Sequence, residues 1–313
     1  MSAARSFITE FIAAERQNIE VGMELVKRTY PAALDIADSV AAAFDTLTTA
    51  FGKNAQIRQK TTAFDQWCSS AGVPPEELLR LSQKATLIGR AEGLDLAVLA
   101  NEADQEVSSF AARACLLLRL RRDYLFGLTD LLKNRLVSAT GYLRIQSESL
   151  AMFLLFANDR EGAVLWLRPD RDAGSKFYRR RHKAVRGEMS SLGLDSYYQR
   201  ASAISLHSRV AGLALALAVG KKDVSQQGDS MEIARLSYMD TADPRIFLLA
   251  FLDFLRFHER LITLLIDRAE EMRNEAQLQP LSASLKASLD QMASAFRPVI
   301  TPLVRSEKQR KRT

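Results

Sequence analysis

The sequence predicts an all-α fold: a multi-helix bundle with a central antiparallel helix core. Three observations point there. Turn formers are scarce, with 14 Gly and 8 Pro in 313 residues. Ala, Leu, Arg, Glu and Gln dominate long stretches and favour helix. Apolar residues recur near a 3.6-residue period, and proline, acids and glycine punctuate the runs where helices start and stop. An apolar fraction of 47% is ample for a packed core, and 26% charged residues suit a water-facing surface.

The first helix is read over 6–29, where Phe7, Ile8, Phe11, Ile12, Ile19, Met23 and Val26 follow the helical period. Pro31 opens a second, and Gly52 stands at its C-cap. A third is expected over 56–70, ending at Gly72. Pro74 and Pro75, followed by Glu76 and Glu77, open a fourth that stops at Gly93, because proline suits a first turn and acids suit its dipole. Residues 95–106 read as polar helix.

From Phe110 to Phe156 almost every residue is a helix former, and a bend at Asn134 or Ser138 would separate two antiparallel helices. Asn158 and Asp159 end that run, a short helix carrying Trp166 closes at Pro169, and the basic segment continues as helix until Gly193. Asp195 suits the N-cap of a helix to Val219. Residues 221–243 form the longest loop-like stretch, with one short β-hairpin expected near 229–240. Asp243-Pro244 opens a long helix ending near Ala276. A last helix over 281–296 precedes Pro298, Pro302 and a basic tail expected to be disordered. Residues 1–106 thus read as an N-terminal helical layer, 107–276 as the core, and 277–313 as the C-terminal helix and tail. No composition break separates them.

The N-terminus lacks the apolar core of a signal peptide, and the most apolar runs, 213–220 and 246–255, fall far short of the roughly 18 residues that span a bilayer. Cys68 and Cys115 form neither a disulfide framework nor a zinc motif and read as small core residues, in keeping with a reducing cytoplasm. The expectation is a cytoplasmic protein with no membrane partner.

Charge is uneven. Between Arg168 and Arg186 eight basic residues face two aspartates, an excess equal to the whole chain's net +6. Such a patch attracts phosphate backbones or an acidic protein partner, although a solvated helix face has the same composition. Arg179, Arg180, Arg181 and Arg186 are the candidate nucleic-acid contacts.

Two polar groups interrupt core-like helix. Arg144 and Glu148, four apart, share a face among Leu143, Ile145, Leu150 and Phe153. Three roles stay open for them: a surface-edge salt bridge, a polar lock in the core, or a ligand site. Tyr198, Ser202 and Ser205 share a second face, with Arg200 and His207 on the adjacent one. Histidine titrates near neutrality and suits acid–base work, and Arg200 would stabilise charge on a phosphate. His258, beside Asp253, Arg256, Glu259 and Arg260, reads as part of a charged face. There is no Glu-x-x-His pair, Gly-rich phosphate loop or Cys-His set at metal spacing, so no metal and no cofactor are expected.

Arg200, six intervening residues and His207 resemble the Arg-to-His motif of the HEPN superfamily of helical ribonucleases and antiphage proteins. The wider pattern, Leu143-Arg144-x-x-x-Glu148 and then Tyr198-x-x-x-Ser202-x-x-x-x-His207, is similar to bacterial helical proteins related to that group and to AbiV-type abortive-infection proteins. The resemblance covers roughly residues 108–275. It implies metal-independent RNA cleavage in defence or stress. His207 would move the proton of a 2′-hydroxyl or leaving group, Arg200 would brace the phosphate, and the basic arginines would guide the backbone. It also implies a homodimer with two motifs facing each other. Two alternatives remain open on the residues themselves: a non-catalytic interaction protein using the basic patch on a protein or nucleic-acid partner, and a small-molecule sensor using Arg144 and Glu148.

Overall fold

A computed structural model describes residues 2–54, 96–167, 171–205, 244–273 and 275–310. Among these residues there are ten helices and no strand: α1 (Ser2–Thr29), α2 (Ala33–Asn54), α3 (Leu96–Leu132), α4 (Leu136–Leu155), α5 (Arg160–Leu167), α6 (Arg171–Ser191), α7 (Asp195–Ser205), α8 (Pro244–Arg268), α9 (Glu270–Arg273) and α10 (Leu278–Arg310). The all-α expectation holds. The helices expected over 56–93, the hairpin near 229–240 and the run from Leu206 to Val219 lie outside the described residues.

The centre is the α3–α4 hairpin. Its bend falls at Asn134, whose φ of 59° is the left-handed geometry that asparagine tolerates better than most residues. The Asn134 amide donates to the Leu131 carbonyl and the Arg135 amide to that of Asp130, both at 2.8 Å. These two bonds are the pairing that closes a helix when the residue after its C-cap turns left-handed. Helix α3 runs unbroken through residues 106 and 107 and also packs against α1, α2 and α5.

Helix α8 lies across α2, α3, α4 and α10. It buries Phe247, Phe251, Phe254, Phe257, Leu261 and Leu265, which recur every three or four residues along one face. Tyr124 fills the space between α3 and α8 and donates its hydroxyl to the Ala37 carbonyl of α2 at 2.7 Å. Gly22 lets α1 approach α3 closely, since a Cβ there would stand 2.1 Å from the Leu132 carbonyl oxygen.

Three expectations are corrected. Cys115 is exposed, because the core face of α3 runs through Ala112, Leu116, Leu117 and Leu120 and leaves Cys115 outside it. His258 is completely buried on the phenylalanine face of α8 rather than on a charged one. Helix α10 does not stop at Phe296 but passes through Pro298 and Pro302 to Arg310. Each proline deletes one amide donor. The two are four apart, so both gaps fall on one side of the helix, and Pro298 is exposed to water that can solvate the freed carbonyls.

Candidate functional site

Of the polar residues singled out in α4 and α7, Arg144 and Tyr198 meet. Helix α7 packs along α4, and α6 packs on α4 beside it. The turn from α6 to α7 is built by Gly193, at φ 67°. The Gly193 amide donates to the Ser190 carbonyl and the Leu194 amide to that of Met189, while Met189 and Leu194 are both buried. From α8, Arg260 donates to the Leu192 carbonyl at 2.8 Å and so occupies another carbonyl at the end of α6.

This turn brings Tyr198 under two cations. The guanidinium carbon of Arg186 lies over its ring at 4.4 Å, and that of Arg144 at 5.2 Å. Each arginine has an acid: Arg144 stands 3.6 Å from Glu148, and Arg186 stands 3.5 Å from Asp195. Ser190 donates its hydroxyl to Asp195. Two ion pairs and one aromatic ring therefore tie α4, α6 and α7 together, an arrangement in which ring and charge attract each other. All four charged groups are half-buried, which selects neither the surface bridge nor the closed core lock.

Three atoms in this cluster are shielded and, among the described residues, have no hydrogen-bond partner: the Nε of Arg144, the Oδ1 of Asp195 and the Oγ of Ser202. Ser202 follows Tyr198 by one helical turn and shares its face. Ala201 beside it is fully buried. Arg200 stands in α7 between these residues. The described part of the chain includes its backbone but not its side chain, and His207 lies outside the described residues.

The four arginines of the basic segment divide into two kinds. Arg181 is inward, 2.8 Å from Asp159 and 3.0 Å from Glu161 at the start of α5. Asp159 also caps α5, accepting the Gly162 amide at 3.0 Å. Arg186 is held at Tyr198. Arg179 and Arg180 are exposed, with His182 and Lys183.

Of the buried polar groups, two join distant helices where the sequence gives no sign of the pairing. Arg113 of α3 chelates Glu271 of α9 through both terminal nitrogens, the longer contact being 2.8 Å, while its Nε donates to the Phe153 carbonyl at 3.1 Å. Its guanidinium carbon lies 4.9 Å from the Phe51 ring centre and 4.6 Å from that of Phe153. The second group is His258 with Gln146. The burial of each could have been found by projecting its helix, because Arg113 and His258 both fall on the apolar face.

Among the described residues no group of three His, Cys, Asp or Glu stands together as metal ligands, and no helix is long and apolar enough to cross a membrane. No family model matches the chain, and neither the curated proteins nor the solved structures provide a match.

Proposed function

We propose that this chain is an RNA-binding helical protein of the HEPN and abortive-infection type. The observation that supports this reading is the division of α6 into two opposite faces. At about 100° per residue, Lys176, Arg179, Arg180, Lys183 and Gly187 fall within one arc. Phe177, Val185, Met189 and Leu192 fall on the far side and are buried. Arg179, Arg180 and Lys183 point to solvent from a helix held at its middle, where Arg181 pairs with Asp159, and at its C-terminal end, where Arg260 reaches the Leu192 carbonyl. A rigid row of outward cations suits a phosphate backbone, whose displaced counterions drive association.

The chemistry follows from the residues next along the chain. The 2′-oxygen attacks the adjacent phosphorus as His207 accepts its proton. Arg200 stabilises the added negative charge, and the 5′-oxygen leaves as it takes that proton from His207, giving a 2′,3′-cyclic phosphate and a 5′-hydroxyl end. No metal is required.

The test is fluorescence anisotropy on single-stranded RNA across a salt series, with cleavage followed in EDTA. Arg179→Glu/Arg180→Glu/Lys183→Glu should weaken binding and flatten the salt slope by roughly 0.7 per lost contact. His207→Ala should bind RNA but not cut it. Binding that ignores the triple variant would refute the basic-face reading. Wild-type protein that binds without cutting would remove the catalytic step, and capture of an acidic protein in place of RNA would favour the interaction-protein alternative.

A further inference from the structure

A cleft of about 580 Å³ opens where α4 ends, α5 begins and α8 turns into α9. Its floor is the Arg113–Glu271 pair, which is mutually neutralised and fixed by the Phe153 carbonyl. Three more arginines line it from three helices: Arg160 at the start of α5, Arg268 at the end of α8 and Arg273 at the end of α9. Two further acids, Glu188 and Glu270, leave the lining with one excess positive charge. Phe110 adds an aromatic wall, its ring stacked on Phe51 at 5.2 Å.

The lining suggests the ligand. Every cation there is arginine, whose planar fork grips a phosphate through two parallel hydrogen bonds where lysine offers a point charge. Arg268 has no ion-pair partner among the described residues, and Arg268 and Arg273 are both exposed. The first turn of α5 offers less, because Asp159 already accepts the Gly162 amide. The volume lies in the range of small-molecule sites, about 300–1,000 Å³, and is larger than a bare phosphate requires. An aromatic wall beside carboxylates suits a flat base and ribose hydroxyls.

We propose that this cleft binds a nucleoside monophosphate, with its phosphate on Arg268 and Arg273 and its base beside Phe110. The inference is independent of the basic face of α6. A free nucleotide and the phosphorylated end of an RNA strand present the same chemistry.

Isothermal titration with AMP, GMP, CMP and UMP tests it, with adenosine and inorganic phosphate as the two halves of the ligand. At least one nucleotide should bind about 10-fold more tightly than either half. Arg268→Ala/Arg273→Ala should weaken that nucleotide about 10-fold or more while leaving the far-ultraviolet circular dichroism unchanged, since both side chains are exposed. Phe110→Leu should weaken the nucleotide and spare inorganic phosphate. Competition by a 5′-phosphorylated RNA oligomer would identify the strand end as the source, and failure to compete would identify the free nucleotide. Absence of binding by all four nucleotides, affinity unchanged in the double variant, or inorganic phosphate binding as tightly as the nucleotides would each overturn the proposal.

Discussion

His258 Nε2 lies 2.8 Å from Gln146 Oε1, joining two fully enclosed side chains that are 112 positions apart. The other ring nitrogen lies 2.7 Å from the Phe254 carbonyl, and the Gln146 amide donates to the Leu120 carbonyl at 3.1 Å. One imidazole thus links α8 to α4, and Gln146 carries the link to α3. The rings of Phe254, Tyr124, Phe257 and Phe44 surround it, with centres 4.3 to 6.3 Å away. Both oxygens facing the ring are acceptors. A neutral ring has one N–H and satisfies one of them, whereas a charged ring would satisfy both. Burial decides against the charge and pushes the pKa from 6.5 down to about 3, even though the Phe254 carbonyl pulls the other way.

That depression makes stability depend on pH. Between about 3 and 6.5 the unfolded histidine binds a proton that the folded one excludes, so stability falls as pH falls through this window and is unaffected by this group above it. The loss at pH 5 relative to pH 7 is about 2 kcal/mol. Urea unfolding of wild type and His258→Leu at both pH values isolates the effect from that of the carboxylates. The variant should lose less stability on acidification, and equal losses would show that the ring is charged in the fold.

Arg113 and Glu271 should behave as a unit. Both side chains are more than nine-tenths buried, so Glu271→Ala leaves a largely desolvated guanidinium without its acid and should cost up to about 3–5 kcal/mol. Arg113→Met/Glu271→Leu removes both charges and should cost clearly less than either single change. A chemical-denaturation double-mutant cycle checks this, and additive losses would show that the two charges are solvated independently.

Ser202→Ala should be neutral or stabilising by up to about 1 kcal/mol. The hydroxyl is shielded and has no partner among the described residues, and alanine is the better helix former. A fall in thermal midpoint of several degrees would reveal a partner for that oxygen in solution.

Gly22→Ala should destabilise by about 1–3 kcal/mol despite alanine's higher helix propensity. The new methyl would meet backbone, the Leu132 carbonyl, and no rotamer change relieves it. Gly52→Ala, where a Cβ meets nothing within 4 Å among the described residues, is the matched control and should not destabilise. Thermal denaturation of the pair separates close approach from propensity.

The parts of the fold legible in the sequence are those whose chemistry is local. Asn134 and Gly193 mark turns because few other residues accept a left-handed φ at low cost. Asp159 ends one run and caps the next with an amide three residues away. Arg144 and Glu148 meet because four residues make about one turn. What stayed hidden joins distant helices. Arg113 and Glu271 are 158 positions apart, and nothing near either names the other. His258 was misread because its chain neighbours are charged, although its helical neighbours Phe254, Leu261 and Ile262 are core. Cys115 was misjudged likewise, by composition where angular position decides.

The clasp of Arg260 on the Leu192 carbonyl reaches across 68 positions and closes against Gly193, where even a methyl group would come within 2.8 Å of the guanidinium. The bearing of Arg179, Arg180 and Lys183 is therefore set in part from the C-terminal end of their helix. A change at residue 193 or 260 would loosen one of the two holds on that helix while leaving every charge in the row intact, so the set of the basic face depends on residues that carry none of its contacts.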